Sequence, residues 1–281
     1  MTDDRSANPD VPGAEETDGP PGSAIDTTVP HSARIWNYWL GGKDNYEVDR
    51  MAGDAYIKAF PEIVDVARAG RAFIARAVRY LALEEGIRQF LDVGTGLPTV
   101  DNTHEIAQGA APESRIVYVD NDPLVLAHAR ALLTSTPEGA TDYIDADARE
   151  PEAILARAAA TLDLDKPVGL MLIGVLGHIE DDDEAQSIAQ RLMAGLSSGS
   201  FLALYDGVDT LSAEFDEAQQ EYDDTGAIPY KLRFADQVRA FFDGLEFVEP
   251  GLVRCGQWRP DPDRPGDSPD VPTLAGVARK P

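Results

Sequence analysis

The sequence predicts a doubly wound α/β domain, and three observations carry that prediction. Short apolar runs alternate with amphipathic stretches along most of the 281 residues, the pattern of strands in a sheet separated by the helices that cover it. One apolar run, Phe90-Leu91-Asp92-Val93, passes directly into Gly94-Thr95-Gly96, a tight turn of the kind that lets backbone approach a ligand at the carboxyl end of a central strand. A second run, Ile116-Val117-Tyr118-Val119, ends on Asp120, 26 residues past Gly94, close to the spacing of an acid that accepts from ribose hydroxyls in such sheets.

Along the chain, residues 1–30 are rich in Asp, Glu, Pro, Gly and Thr with almost no large apolar side chains. They are expected to be a disordered acidic tail, because they cannot repay the entropy of being ordered. The folded domain is expected over 31–281. Its first part, 31–85, is predicted to be helical, with a long helix over 61–85 that carries Ile63, Ala67, Phe73, Ile74, Ala77, Val78 and Leu81 at helical spacings. Strands are predicted at 89–93, 116–120, 141–145, 168–175 and 201–206, with helices between them. Asp122 before Pro123 opens one helix and Pro151 sits in the first turn of another. Helical patterns follow near 213–222 and 234–242. The last two strands, 246–254 and 273–279, are expected to form an antiparallel edge hairpin around a Pro-rich exposed loop, 258–271.

Composition narrows the function. With 24 Lys and Arg against 50 Asp and Glu, the formal net charge is −26. That argues against nucleic acid as a partner, since phosphate binding needs clustered cations. No run approaches the length of an apolar membrane span, and the first 30 residues lack the pattern of a signal peptide. The single cysteine, Cys255, rules out an internal disulfide framework and a cysteine-cluster metal site, and suits a reducing compartment. A cytoplasmic protein without a membrane partner is expected.

Chemistry concentrates at three strand ends. Gly94 and Gly96 would bring backbone close to a ligand, Asp120 would accept from a ribose, and Asp147 with Ala148 would accept from and donate to an adenine edge. Few basic residues lie near the glycine turn in sequence, and Leu97-Pro98-Thr99 replaces the third glycine of a dinucleotide fingerprint. Asp92 would repel a phosphate and suit a ligand with a cationic amino group. Each acid has an ordinary structural role as its alternative, as a helix cap or a solvated strand end. His104-Glu105 lacks the second histidine of a zinc helix, so no metal is expected.

With an acid followed by Gly-x-Gly, the chain resembles the class I S-adenosylmethionine-dependent methyltransferases. More closely, it is similar to the actinobacterial S-adenosyl methyltransferase family once known as a domain of unknown function. The resemblance rests on Ala33-Arg34-Ile35-Trp36-Asn37-Tyr38-Trp39-Leu40-Gly41-Gly42-Lys43-Asp44-Asn45, on Leu97-Pro98-Thr99-Val100-Asp101-Asn102-Thr103-His104-Glu105, on Tyr118-Val119-Asp120-Asn121-Asp122-Pro123 and on Phe241-Phe242-Asp243-Gly244-Leu245-Glu246. It covers nearly all of 31–280. It implies a Rossmann-like, mostly parallel, seven-stranded sheet with S-adenosylmethionine across the first, second and fourth strand ends. Asp92, Gly94, Thr95 and Gly96 would then line its methionine side, Asp120 and Asn121 its ribose, and Asp147 and Ala148 its adenine.

Two further regions bear on function. The segment 34–45 is either a structural helix with Ile35, Trp36, Trp39 and Leu40 buried and Gly41-Gly42 ending it, or a lid whose Tyr38, Lys43 and Asn45 close over the cofactor. His178, after the fourth strand, is placed to act as a general base, with a cap or packing role as its alternative. Tyr205, Asp206, Tyr222 and Tyr230 are polar candidates on the acceptor side. The expected activity is methyl transfer to a small-molecule acceptor. Its rivals are a non-catalytic protein that binds the same cofactor and a nicotinamide-dependent oxidoreductase.

Overall fold

The computed structural model describes residues 26–99, 101–132, 134–209, 219, 227, 229–262 and 269–281. Residues 1–25 of the tail expected over 1–30, most of the helix expected near 213–222 (Tyr222 included) and part of the Pro-rich loop fall outside these residues.

Three helices come first: α1 (Ser32–Trp39), α2 (Glu47–Ala59) and α3 (Ile63–Leu83). Then follow β1 (Gln89–Val93), α4 (Thr103–Ala110), β2 (Arg115–Asp120), α5 (Pro123–Leu132), β3 (Ala140–Asp145), α6 (Pro151–Ala158), β4 (Gly169–Ile173), α7 (Asp182–Ala194) and β5 (Phe201–Gly207). The chain closes with α8 (Ala235–Ala240), β6 (Glu246–Phe247), β7 (Val253–Arg254) and β8 (Thr273–Arg279). The sheet order is β3-β2-β1-β4-β5-β8-β6, with β7 also on β8. Strands β1 to β5 are mutually parallel, and β8 runs antiparallel to β5, β6 and β7. The fold is thus doubly wound and Rossmann-like.

Period-two alternation explains why both faces are covered. Phe90, Ile116, Tyr118 and Met171 pack on the face that holds α1, α2 and α3. Leu91, Val93, Val117, Val119, Leu170 and Leu172 pack on the opposite face with residues of α6 and α7. Helix α3 buries Phe73, Ala77, Val78 and Leu81 completely, as their spacing predicts.

Two expectations need correction. The strand expected over 246–254 is two short strands, so the sheet has eight strands among the described residues where seven were expected. Pro250 has no N–H to give a ladder and Gly251 turns at φ 88°, which breaks the pairing between β6 and β7. The antiparallel pairing expected at that edge is present: β6 and β7 both pair with β8, and β6 is the outer strand. Finally, the loop that starts at Trp258 is anchored and not simply exposed. The Trp258 ring is fully buried, edge-on to Phe73 at 5.3 Å and to Tyr80 at 5.8 Å. Arg76 of α3 donates to the carbonyls of Trp258 (2.9 Å) and Cys255 (2.8 Å), which ties the carboxyl-terminal edge to the helix.

Trp258→Ala should therefore lower stability by about 3–5 kcal/mol, the usual cost of emptying a buried aromatic site. Urea unfolding would show it as a lower midpoint, and a change below about 1 kcal/mol would contradict this anchor role.

Candidate active site

A cavity of about 220 Å3 is lined by residues at the carboxyl ends of β1 to β5 and by the three amino-terminal helices. At its centre is the turn after β1. Gly94 and Gly96 have φ of 72° and 66°, values that side chains disfavour. A Cβ on Gly94 would lie 2.4 Å from Val175 Cγ2, in the loop after β4, whereas a Cβ on Gly96 would meet nothing within 4 Å. Gly94 is thus required by close packing as well as by its dihedral, and Gly96 by its dihedral alone.

The N–H groups of this turn are bonded to β2. Gly94 and Thr95 donate to the Val119 carbonyl at 2.8 and 3.3 Å, and Gly96 donates to Asp120 Oδ2 at 2.8 Å. Asp120 Oδ1 accepts from the N–H of Asp122 at 2.9 Å. Burial nevertheless pushes the Asp120 carboxyl up to about 6, because desolvation disfavours the charged form. Asp92, also buried, accepts from Thr103 Oγ1 at 2.6 Å. Its carboxyl is likewise pushed up to about 6 by burial, against the Thr103 hydrogen bond and the Arg71 charge that act to lower it.

The helix expected between β1 and β2 begins only at Thr103. Pro98 supplies no N–H, and Asn102 and Glu105 form a capping box that fixes the start of α4: Asn102 N–H donates to Glu105 Oε2 at 2.8 Å. The delay brings Thr103 to Asp92. It also places Asp101 where Arg71 Nη2 donates to its carbonyl at 3.0 Å. Arg71, on α3, lines the cavity beside Asp92; burial lowers its pKa while Asp92 and other neighbouring acids support the charge. Sequence reasoning missed it, because an arginine distant in sequence from β1 carries no local sign that the fold brings it to the turn.

The other strand ends contribute Asn121 after β2 and Asp147, Ala148 and Arg149 after β3, all on the cavity wall. Asp147 Oδ1 accepts from the Arg149 N–H at 2.9 Å. The amino-terminal residues at the cavity differ from those expected. Tyr38 donates to Asp54 at 2.6 Å, Asn45 Nδ2 donates to Asn37 Oδ1 at 3.0 Å, Lys43 is exposed, and none of the three lines the cavity. His31, Trp36 and Asn37 line it instead. His31 Nδ1 lies 3.1 Å from Asp122, which joins α1 to the loop after β2.

A family model described as S-adenosyl methyltransferase matches residues 18–281. The chain belongs to that family. It is similar to the solved structure of a DUF574 family protein from Streptomyces avermitilis, with 46% identity over 92% of this chain and 100% of that one and a TM-score of 0.87. A Thermobifida fusca protein of known structure is 38% identical over 94% of this chain and 99% of that one, with a TM-score of 0.81. The mitomycin 7-O-methyltransferase MmcR, at 17% identity over 77% of this chain and 54% of that one and a TM-score of 0.51, shares the fold. No curated protein matches the chain.

In this S-adenosylmethionine-dependent methyltransferase, the loop after β4 carries His178 to the cavity wall. Its Nδ1 is 3.0 Å from the Pro229 carbonyl, and its ring meets Tyr230 edge-on at 5.1 Å. A carbonyl only accepts, so Nδ1 carries the proton and Nε2 keeps its lone pair. Burial holds this imidazole below its ordinary value, so it is neutral near pH 7. Tyr230 fits there because position 177 is glycine, where a Cβ would lie 2.2 Å from the Tyr230 ring. The Tyr230 hydroxyl donates to Asp206, which is fully buried and pushed up to about 6 by desolvation. Tyr205, at the end of β5, donates to the Val66 carbonyl at 2.8 Å.

The raised Asp206 value has a consequence for stability. An unfolded chain titrates such a group near 3.9, so the folded methyltransferase holds the extra proton between about pH 4 and 6. The contribution of this carboxyl is present at low pH and is lost as pH rises through about 6. Asp206→Asn should remove roughly 2 kcal/mol of the stability difference between pH 4.5 and 7.5, read by urea unfolding at both values. An equal difference in the two proteins would contradict the assignment.

Proposed function

We propose that this chain transfers the methyl group of S-adenosylmethionine to a small-molecule acceptor, with the cofactor lying across the carboxyl ends of β1, β2 and β3. The observation that carries the cofactor reading is the pair of buried carboxylates, Asp92 and Asp120, on either side of a turn whose N–H groups are already bonded. A pyrophosphate would meet two carboxylates and find no turn N–H to accept from, which counts against a nicotinamide dinucleotide.

The donor set fits the group. Asp92 suits its ammonium and Arg71 its carboxylate, one charge of each sign at the same end of the cavity. Asp120 and Asn121 suit the ribose hydroxyls. Asp147 and the Ala148 N–H suit the adenine edge. When bound, the cofactor supplies a methyl group already activated by its sulfonium. The protein then has to hold the acceptor in line and exclude water, and alignment of this kind supplies roughly 7–11 kcal/mol in favourable cases.

Residues 31–85 are proposed to act as the cover of this site through His31, Trp36 and Asn37. A cytoplasmic setting suits a chain whose one cysteine is buried and whose described residues include no helix long and apolar enough to cross a membrane.

Parallel calorimetric titrations with S-adenosylmethionine, S-adenosylhomocysteine and NAD(H) test the reading. Binding of the first two alone is expected, and binding of NAD(H) alone would overturn it. Asp120→Ala should weaken S-adenosylmethionine binding by about 1.5–3 kcal/mol, the range for hydrogen bonds to a charged group. Unchanged affinity would remove Asp120 from the site. Formation of S-adenosylhomocysteine in step with a methylated acceptor separates an enzyme from a protein that only binds the cofactor.

A further inference from the structure

We infer, on the basis of the methyl-transfer reading, that the acceptor is an uncharged aromatic hydroxyl compound, a phenol or enol on an apolar ring, whose hydroxyl faces His178. The cavity continues from the strand ends beneath the amino-terminal helices, where Trp36, Trp39, Tyr56, Ile63, Val66 and Tyr205 line it. The aromatic wall is continuous: the rings of Trp36 and Trp39 are 5.7 Å apart, and those of Trp39 and Tyr56 5.3 Å.

The polar tips of Trp39, Tyr205 and Tyr56 are engaged by the protein. Trp39 Nε1 donates to the Gly53 carbonyl at 3.3 Å, Tyr205 to the Val66 carbonyl at 2.8 Å, and Tyr56 to Gln219 Oε1 at 3.0 Å. What they offer a ligand is carbon surface, which suits an apolar ring stacked or set edge-on. Among the described residues, two guanidinium groups line the cavity: Arg71 at the boundary beside Asp92, and Arg149, which faces Asp147 and Glu184 and donates to the His178 carbonyl at 3.4 Å. An ammonium set against the aromatic wall would find no carboxylate among these wall residues, and an anion would compete for Arg71 with the cofactor's carboxylate and for Arg149 with Asp147 and Glu184. Burying either ion unpaired is costly.

His178 also lines the cavity, with the Tyr230 ring edge-on to it. With Nδ1–H held by the Pro229 carbonyl, Nε2 is left as an acceptor, which selects a ligand with a proton to give. In the transfer, the acceptor oxygen forms a bond to the methyl carbon as the carbon–sulfur bond breaks. The electron pair of that bond stays on sulfur, turning the sulfonium into a neutral thioether, and the hydroxyl proton passes to His178 Nε2. Charge is conserved, since the cation moves from sulfur to imidazolium.

The test uses the full chain saturated with S-adenosylhomocysteine and four naphthalene probes, read by calorimetry and by quenching of tryptophan fluorescence. Binding of 2-naphthol should be tighter than that of 2-naphthoate and of 2-naphthylmethylammonium by about tenfold or more, and tighter than that of 2-methylnaphthalene by roughly fivefold. His178→Phe should abolish the preference over 2-methylnaphthalene and keep the preference over both ions. Equal or tighter binding of either ion, no binding of 2-naphthol, or a hydroxyl preference that survives His178→Phe would overturn the inference. Failure of S-adenosylhomocysteine itself to bind, measured before any probe is added, would instead overturn the methyl-transfer reading.

Discussion

The turn after β1 is suspended from β2 by three N–H groups, and the rest of the site depends on that attachment. Because Gly94, Thr95 and Gly96 all donate to Val119 or Asp120, the turn is held open and flat against the sheet. Asp120 is then a wall of the site and also one of its fasteners. The Gly94–Val175 approach adds the loop after β4 to the same assembly. A bulkier residue at position 94 would displace that loop, and with it the segment that carries His178.

The same arrangement places carboxylates where water does not reach. Asp92 and Asp120 lie at the ends of neighbouring parallel strands, each with hydrogen-bond donors but without full solvation, and both are held near 6. Such sites cost stability in the ligand-free protein and favour a ligand that brings its own positive charge. Arg71 supplies the counterpart from α3. Its position links the site to the carboxyl-terminal edge, since the same helix holds Trp258 and Cys255 through Arg76. The cavity wall around His178 is built by a different device. Gly177 makes room for Tyr230, Asp206 receives the Tyr230 hydroxyl, and the Tyr230 ring supports His178.

Much of the fold was legible because strands buried on both faces are nearly uninterrupted apolar runs, as in β1, β2, β4 and β5. Two of the acidic strand ends were legible for the same reason, since Asp92 and Asp120 sit at the ends of such runs, whereas Asp147 follows β3, whose Thr141 and Asp142 interrupt the pattern. What the pattern did not reveal depended on local backbone chemistry or distant packing. Pro250 and Gly251 split a strand whose side chains alone read as continuous. The box at Asn102 and Glu105, and not the glycine turn, fixes where α4 begins. In α1, neighbouring positions point about 100° apart, so a small error in helical phase selects Tyr38 in place of Asn37 and Trp36. Arg71 and Trp258 gave no sequence sign of their burial, because each is buried by elements remote in the chain.

The central claim is that Asp92 is a buried carboxyl with a raised pKa that ionises fully when a cationic amino group arrives. Proton release on S-adenosylmethionine binding tests it most directly, measured by calorimetry near pH 6 in buffers of different ionisation enthalpy. A pKa of about 6 in the free protein predicts release of about half a proton from this site at pH 6, falling toward zero by about pH 8. Asp92→Asn should remove that release. A heat of binding independent of buffer at pH 6, or a proton release that persists unchanged in Asp92→Asn, would contradict the account.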